Sequence, residues 1–277
     1  MRRRPGIYAT VLKILVLAAL IAALYQEVFV SMVDDWWNTP ALSHGLLIPP
    51  LAVWVAWMRR KRTLALPVAP DNRGLLLLAA ASTLFLVGHL AAEFFLTRIS
   101  FVILLTALAW TFWGAARVRT VALPLLLLAT MVPLPAVVYN ELSAPVKLWT
   151  SMLATRMAQW IGTSVYRDGN IVHLANISLG VEEACSGISS LSALLVASLL
   201  IGFLCCSRSR TRLVLLLVPL PLAIAVNILR IAGTAVIADH YEQIALGFYH
   251  LFSGWLVFAV SFGMLYVSAK ALHLLLD

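Results

Sequence analysis

Long apolar runs separated by short polar segments dominate the sequence. A helix needs about 20 mainly apolar residues to cross a bilayer. About eight runs approach or reach that length, at roughly 11–33, 46–58, 74–95, 99–113, 121–138, 188–206, 213–238 and 248–272. The pattern predicts an all-α polytopic membrane protein with about eight transmembrane helices in one domain, residues 1–277. It also predicts a tight turn around Thr97 and Arg98, between the third and fourth runs.

Residues 139–184 form the one long segment that has no spanning run. Its first half repeats apolar residues at the spacing of an amphipathic helix that lies at a membrane interface. These residues are Leu142, Val146, Trp149, Leu153, Met157 and Trp160. In the second half, Asp168-Gly169 between apolar residues is typical of a β-hairpin turn. We therefore expect a small extracytoplasmic cap, an interfacial helix followed by a short hairpin.

Composition and charge agree with this pattern and set the orientation. The chain is 62% hydrophobic and 12% charged, with a mean hydropathy of +0.95, which excludes a soluble globular domain. The net charge of +8 comes from arginines and lysines in short loops. Such residues mark the cytoplasmic side of a membrane protein, so we expect no nucleic-acid partner. The loop charges place both termini in the cytoplasm and the cap outside, and we interpret the first run as an uncleaved span.

Three reactive side chains reach the same depth in this topology. Cys185 lies at the outer start of the sixth span, Arg230 lies within the outer half of the seventh, and His250 lies near the outer start of the eighth. A thiolate is a strong nucleophile when a neighbouring base takes its proton, and His250 can do so and then protonate a leaving amine. Arg230 can stabilise an oxyanion or hold a substrate carboxylate, and the sequence leaves both roles open.

Each of these residues also has a structural explanation when it is considered alone. A cysteine near a helix start often only packs, an intramembrane arginine can form a structural ion pair, and an interfacial histidine can bond backbone. Glu183 can support Cys185, but a carboxylate beside a thiol opposes its ionisation, so we first interpret it as a helix-start charge. Asp239, His240 and Glu242 lack the spacing of a metal site, and we expect no metal and no cofactor.

Several short motifs resemble the exosortase and archaeosortase family of membrane transpeptidases. The most specific is Glu183-Ala184-Cys185-Ser186-Gly187-Ile188, and weaker motifs occur along most of the chain. The weaker motifs are Ser43-His44-Gly45, Pro133-Leu134-Pro135, Tyr139-Asn140, Arg167-Asp168-Gly169-Asn170, Asn227-Ile228-Leu229-Arg230-Ile231, and His250 with Gly254. The order cysteine, arginine, histidine resembles the bacterial exosortase branch.

The resemblance implies a cysteine peptidase or transpeptidase of the bacterial inner membrane whose active site faces the periplasm. Its substrates would be exported proteins with a C-terminal sorting signal: a short motif such as Pro-Glu-Pro, a transmembrane helix and a basic tail. Cys185 would form a thioacyl intermediate, which an acceptor amine or water would resolve. Arg230 and His250 would complete the catalytic set, with His44 and Asn227 as possible supporting residues and His44 as a gate or structural residue.

Two alternatives belong to other functional classes. A transporter or assembly component of polysaccharide export needs polar or charged residues along a path through the spans, and mid-span charges are scarce apart from Arg230. A structural scaffold gives no reason for Cys185, Arg230 and His250 to share a depth. A plain protease that uses water as acceptor would have the same site residues, so the sequence does not distinguish hydrolysis from transfer.

Overall fold

The structure is a computed structural model that describes residues 7–175, 177–180, 188–241, 243 and 250–276, without the side chains of residues 7, 9, 10, 14, 188, 189, 250 and 251. Helices dominate it, and in the sequence the strands of one three-stranded sheet lie between residues 160 and 188. The helices are α1 Ile7–Asn38, a 3₁₀ helix Pro40–Leu47, α2 Ile48–Ala65, α3 Arg73–Leu90, α4 Phe94–Trp113, α5 Ala115–Thr120, α6 Ala122–Thr130, α7 Ala136–Trp160, α8 Ile188–Cys205, α9 Ser209–Leu217, α10 Pro219–His240 and α11 His250–Leu276. The strands are β1 Val165–Asp168, β2 Ile171–Leu174 and β3 Ser178–Gly180.

The polytopic, mainly helical membrane fold that the sequence predicts is confirmed. The described part of the chain contains 6 helices that are long and apolar enough to cross a membrane. The difference from about eight lies in two places. The fifth apolar run contains the short helix α6 and the first residues of α7, which are separated by the non-helical residues 131–135. In the sixth run, the apolar part of α8 with described side chains begins only at Ser190.

The chain divides into two compact units, Met1–Pro133 and Leu134–Asp277. The prediction of one domain over residues 1–277 stays a prediction. In the first unit, the Tyr25 ring lies 4.8 Å from that of Phe85 and 5.4 Å from that of Phe101, measured between centroids. The buried Tyr25 hydroxyl is hydrogen-bonded to Ser100 at 2.9 Å, so this aromatic core contains no unpaired phenol.

The predicted turn around Thr97 and Arg98, in the first unit, is wrong. Arg98 lies inside α4 and is only 5% exposed, because its guanidinium forms a 2.7 Å ion pair with Asp35. The chain turns earlier, at Ala91–Glu93, where the Glu93 carboxylate accepts a hydrogen bond from the Leu96 N–H at the start of α4. A buried arginine requires such a partner, since an unpaired charge in a low-dielectric interior is costly.

In the second unit, the long helix α10 belongs to two different cores. Its first half joins α8, α9 and α11 through buried side chains that include Leu194, Leu215, Leu222 and Leu265. Its second half joins α7 and the sheet in a core rich in alanine; that core contains Ala154, Ala158, Val165, Val172, Leu174, Ile231, Ala232, Ala235 and Ala238. We name these the membrane core and the cap core. Arg230 lies in the sequence between the parts of α10 that enter them.

The cap contains the predicted helix and the predicted hairpin. Helix α7 packs through small residues such as Ser151 and Ala154, whereas Trp149 and Trp160 of the predicted apolar stripe are exposed. Strands β1 and β2 are antiparallel, with Asp168 opposite Ile171. The two-residue turn is therefore Gly169-Asn170, one residue later than predicted. Gly169 has φ +59, the conformation that the first position of a type II′ turn requires.

A third strand, β3, was not predicted. It pairs antiparallel with β2, so that the sheet order is β1-β2-β3. A side-chain contact adds to this pairing, since His173 Nδ1 and Ser178 Oγ lie 2.7 Å apart. The Tyr166 ring stacks on the other side of His173, with ring centroids 4.7 Å apart. The outward face of the sheet therefore has a row of three linked polar side chains across its strands.

Arginines in the predicted inner loops bind helix carboxyl ends. Arg212 donates from Nε and Nη2 to the Cys206 carbonyl, just after α8, at 3.0 and 2.7 Å. Arg117 does the same to the Leu66 carbonyl at the end of α2, at 3.0 and 2.6 Å. Arg208 reaches the Leu276 carbonyl at the end of α11 at 2.6 Å. The last carbonyls of a helix have no partner within the helix, so these contacts satisfy groups that would otherwise be unpaired.

Candidate active site

Arg230 points from α10 towards the first turns of α11. Its Nε donates a hydrogen bond of 3.2 Å to Ser253 Oγ, and Ser253 is only 2% exposed. The arginine lies 10 residues before His240, the last residue of α10, which is roughly 15 Å along the helix. The guanidinium is thus held well below the end of α10 and beside the start of α11.

Gly254 provides the space that the guanidinium occupies. A β-carbon at Gly254 would lie 3.7 Å from Arg230 Nη2 and 3.9 Å from its Cζ, in ordinary van der Waals contact. An alanine would therefore fit, but any larger side chain would press on the arginine. A small residue at this position lets the backbone of α11 and the planar cation lie close together.

His250 is the first residue of α11, one turn before Ser253. Only its backbone is described, and this places the residue at the same end of α11 that Arg230 approaches. The shared depth of His250 and Arg230 in the membrane stays a prediction. The predicted role of the imidazole stays a prediction.

Cys185 and Glu183 lie outside the described residues. Chain length still limits the distance from Cys185 to Ile188, the first residue of α8, since three residues span at most about 11 Å. Leu191 and Leu194, near the start of α8, belong to the same core as Val226 of α10 and Val257 of α11. The other end of α8 packs on α9, since Gly202 lies against Arg212 and Leu215, so the start of α8 lies towards the part of α10 that contains Arg230.

Of the supporting candidates, Asn227 lies one turn before Arg230 on α10 and is 3% exposed. Its amide is thus part of the buried surroundings of the arginine. His44 lies in the first unit, half-buried in the 3₁₀ helix. Its neighbour Gly45 is packed so tightly against Trp36 that a β-carbon there would overlap the indole. Gly45 therefore has a packing role in its own unit, and the predicted role of His44 stays a prediction.

Sequence reasoning missed Ser253, the described hydrogen-bond acceptor of Arg230. A serine in an apolar helix is common, so its residue type gives no signal. The spacing gives a signal, because Ser253 follows His250 by three residues and therefore lies on the same side of a helix. An acceptor for an intramembrane arginine can thus be sought one turn from a second candidate residue.

This arrangement can stabilise negative charge at the end of a helical bundle. The guanidinium is planar, permanently charged and has several N–H donors, one of which is fixed by Ser253. An arginine held in one orientation can receive an oxyanion or a carboxylate without first reorganising. No group of three or more His, Cys, Asp or Glu that could hold a metal occurs among the described residues.

Comparison with known proteins gives one result. The family model described as transmembrane exosortase (Exosortase_EpsH) matches residues 36–267, which is most of the chain. The matched range contains Arg230 and Ser253 as well as the whole cap. No curated protein and no solved structure matches the chain.

Proposed function

The chain belongs to the transmembrane exosortase family, and we propose that it is a membrane-embedded cysteine peptidase or transpeptidase. Its substrates are exported proteins that end in a short motif, an apolar helix and a basic tail. The protein resides in the bacterial inner membrane, with both termini in the cytoplasm and the active site on the periplasmic side. It cleaves the sorting signal and releases the helix and tail.

The observation that carries this proposal is the contact between Arg230 and Ser253 at the start of α11. It brings a fixed cation to the helix end at which His250 begins α11, and we expect Cys185, which precedes α8 in the sequence, to lie at the same end. An arginine within a membrane span is costly unless it has a role or a partner. A nucleophile, a base and a cation at one end of a helical bundle form a set suited to acyl transfer.

The reaction has two acyl-transfer steps. The Cys185 thiolate attacks the carbonyl carbon of the scissile peptide bond, and Arg230 stabilises the oxyanion that forms. The C–N bond then breaks, a C–S bond remains, and protonated His250 gives its proton to the leaving amine. In the second step His250 takes a proton from an acceptor amine or from water, which attacks the thioester and releases Cys185. An amine gives transfer and water gives hydrolysis.

Processing of a reporter in cells tests the proposal. The reporter is an exported domain with a C-terminal Pro-Glu-Pro motif, an apolar helix and a basic tail, co-expressed with the wild type, Cys185→Ala or Cys205→Ala. We expect cleavage in the wild type and in Cys205→Ala, seen as a mobility shift, and none in Cys185→Ala. The mass of the new C-terminus then distinguishes transfer from hydrolysis. Equal processing in all three would remove Cys185 from the mechanism and favour a non-enzymatic role in export.

Thiol labelling in intact cells tests the orientation separately. A membrane-impermeant maleimide should label Cys185, which we place outside, in a Cys205→Ala/Cys206→Ala background. The matched variant Cys185→Ala keeps Cys205 and Cys206 at the end of α8, which we place inside, and should stay unlabelled until the cells are opened. Labelling of the second variant alone would contradict the topology.

A further inference from the structure

The two edge strands of the cap sheet, β1 and β3, have different neighbours in the rest of the chain. Helix α7 covers the β1 edge, where Gln159 Nε2 donates a 2.8 Å hydrogen bond to the Val165 carbonyl. Ser151 Oγ donates to the Gly169 carbonyl at 3.2 Å and fixes the turn beside the same helix. The opposite edge of the sheet is β3.

Strand register shows which groups of β3 face outwards. The Leu174 N–H donates to the Ile177 carbonyl at 2.8 Å, so these two residues form a hydrogen-bonded pair next to the turn. Hydrogen-bonded and non-bonded pairs alternate along an antiparallel ladder, and Val172 opposite Leu179 is therefore the next bonded pair. Ser178 and Gly180 consequently direct their N–H and C=O groups away from β2.

These outward groups form an open edge. Ser178 and Gly180 are exposed, and within the part of the chain that the structure describes no backbone hydrogen bond reaches them from that side. Proteins usually block an exposed strand edge with a proline, a charged residue, a bulge or a very short strand, and of these devices β3 has only its short length of 3 residues. The sequence Ser178-Leu179-Gly180 contains neither a proline nor a charge, and its pairing with β2 has no bulge.

The open edge is also close in sequence to the proposed nucleophile. Gly180 precedes Cys185 by five residues, which span at most about 18 Å. The strand itself is held in place, because Leu179 packs on the cap core and Ser178 bonds to His173. A segment aligned on β3 is therefore held on a fixed support within reach of the thiol.

We propose that the open edge of β3 binds the substrate, as an extended peptide segment that adds a fourth strand beside the scissile bond. This inference rests on the proposed function and adds the mode of recognition. Strand addition draws affinity from main-chain hydrogen bonds and specificity from alternate side chains. The backbone N–H and C=O groups of Ser178 and Gly180 receive the substrate backbone and fix its register relative to Cys185.

A proline substitution isolates the outward backbone donor. Ser178→Pro removes an N–H that the pairing with β2 does not use, and proline is tolerated at the first residue of an edge strand. Ser178→Ala is the matched control, since both variants lose the hydroxyl that bonds His173 but only proline loses the N–H. We expect reporter processing to fall at least about fivefold in Ser178→Pro relative to Ser178→Ala, the effect of one lost hydrogen bond.

Photo-crosslinking provides a binding readout that does not require cleavage. The full-length Cys185→Ala protein in membranes carries p-benzoylphenylalanine at position 178 and is irradiated with the same reporter. The control has the label at Tyr166, which lies on the same sheet face but two strands away from the open edge, at a distance of about 10 Å. We expect the label at 178 to capture the motif segment of the reporter several times more efficiently.

The outcomes separate this inference from the proposed function. Cys185-dependent processing that is equal in Ser178→Pro and Ser178→Ala would overturn strand addition and leave the peptidase intact. Crosslinking at position 178 without any processing would support the binding edge and overturn the proposed chemistry. If the reporter is neither processed nor captured, both proposals are wrong for this class of substrate.

Discussion

The two halves of α10 pack against their neighbours through side chains of different size. In the membrane core, large aliphatic residues such as Leu222 meet Leu194 and Leu265 from neighbouring helices. In the cap core, Ala232 and Ala235 meet Ala154 and Ala158 of α7. Small residues let two helix backbones approach closely, which large ones prevent. The difference indicates that the cap is fitted tightly against α10, whereas the membrane core depends on filling space.

The largest expected effect is that of a substitution at Arg230, which lies in the sequence between the parts of α10 that enter the two cores. Arg230→Lys keeps the positive charge but loses the planar set of donors. We expect reporter processing to fall by about 100-fold, as when one oxyanion donor is removed, with little change in thermal stability. Single-turnover processing and a melting curve of the same detergent preparation measure both quantities. A lysine variant with nearly full activity would mean that charge alone suffices at this position.

A second prediction concerns the close contact in the cap core. Ala235→Leu inserts a larger side chain between α10 and α7, and overpacking of this kind costs about 1–3 kcal/mol. Ala225→Leu is the matched control, because Ala225 is exposed on the same helix. Limited proteolysis of the cap should become faster in the first variant only. Equal proteolysis in both would show that the cap does not depend on a close approach of the two helices.

The membrane core should respond to the opposite change. Leu265→Ala leaves a cavity at a side chain that is 0% exposed. In water such a substitution costs about 2–5 kcal/mol. Lipid chains are as apolar as leucine, so in a membrane the cost comes mainly from lost packing contacts. We therefore expect the free energy of unfolding to fall by roughly 1–2 kcal/mol. Leu256→Ala, on the exposed side of α11, should be nearly neutral, and thermal midpoints in lipid bicelles compare the two.

The smallest expected effect concerns the hydroxyl that holds Arg230. Ser253→Ala removes the acceptor of its Nε and should reduce processing a few-fold, as one hydrogen bond contributes about 1 kcal/mol. Ser261→Ala changes the same residue type on the same helix, where the buried hydroxyl has no hydrogen-bond partner in the described part of the chain. Processing by this variant should be unchanged. An equal loss in both would assign the effect to the stability of α11 rather than to Arg230.

Features fixed by local sequence could be predicted. The apolar runs define the membrane fold because only a helix satisfies its own backbone in lipid. The hairpin follows from Gly169, which can adopt the positive φ of its turn. The turn lies one residue later than expected, because Asp168 still pairs with Ile171. Within the site, Arg230 could be found because an intramembrane charge is rare and costly.

Features that depend on distant partners could not be predicted. Arg98 suggested a loop because its charge is visible in the sequence, whereas its ion pair with Asp35 is not. Strand β3 has only 3 residues, too few for a periodic pattern, and it exists because β2 provides a template. Ser253 was missed for the same reason, since its role is defined by an arginine on another helix.

The arginines that bind helix carboxyl ends have a consequence for how the chain is made. During insertion, a basic loop is recognised only as charge, and lysine would serve equally well. In the finished protein, Arg117 and Arg212 each use two nitrogens on one carbonyl, which a lysine ammonium does not reproduce. In the predicted topology, the same residues therefore act first as loop charges during insertion and later as hydrogen-bond donors to the backbone. This double use explains a preference for arginine in these loops that topology alone does not require.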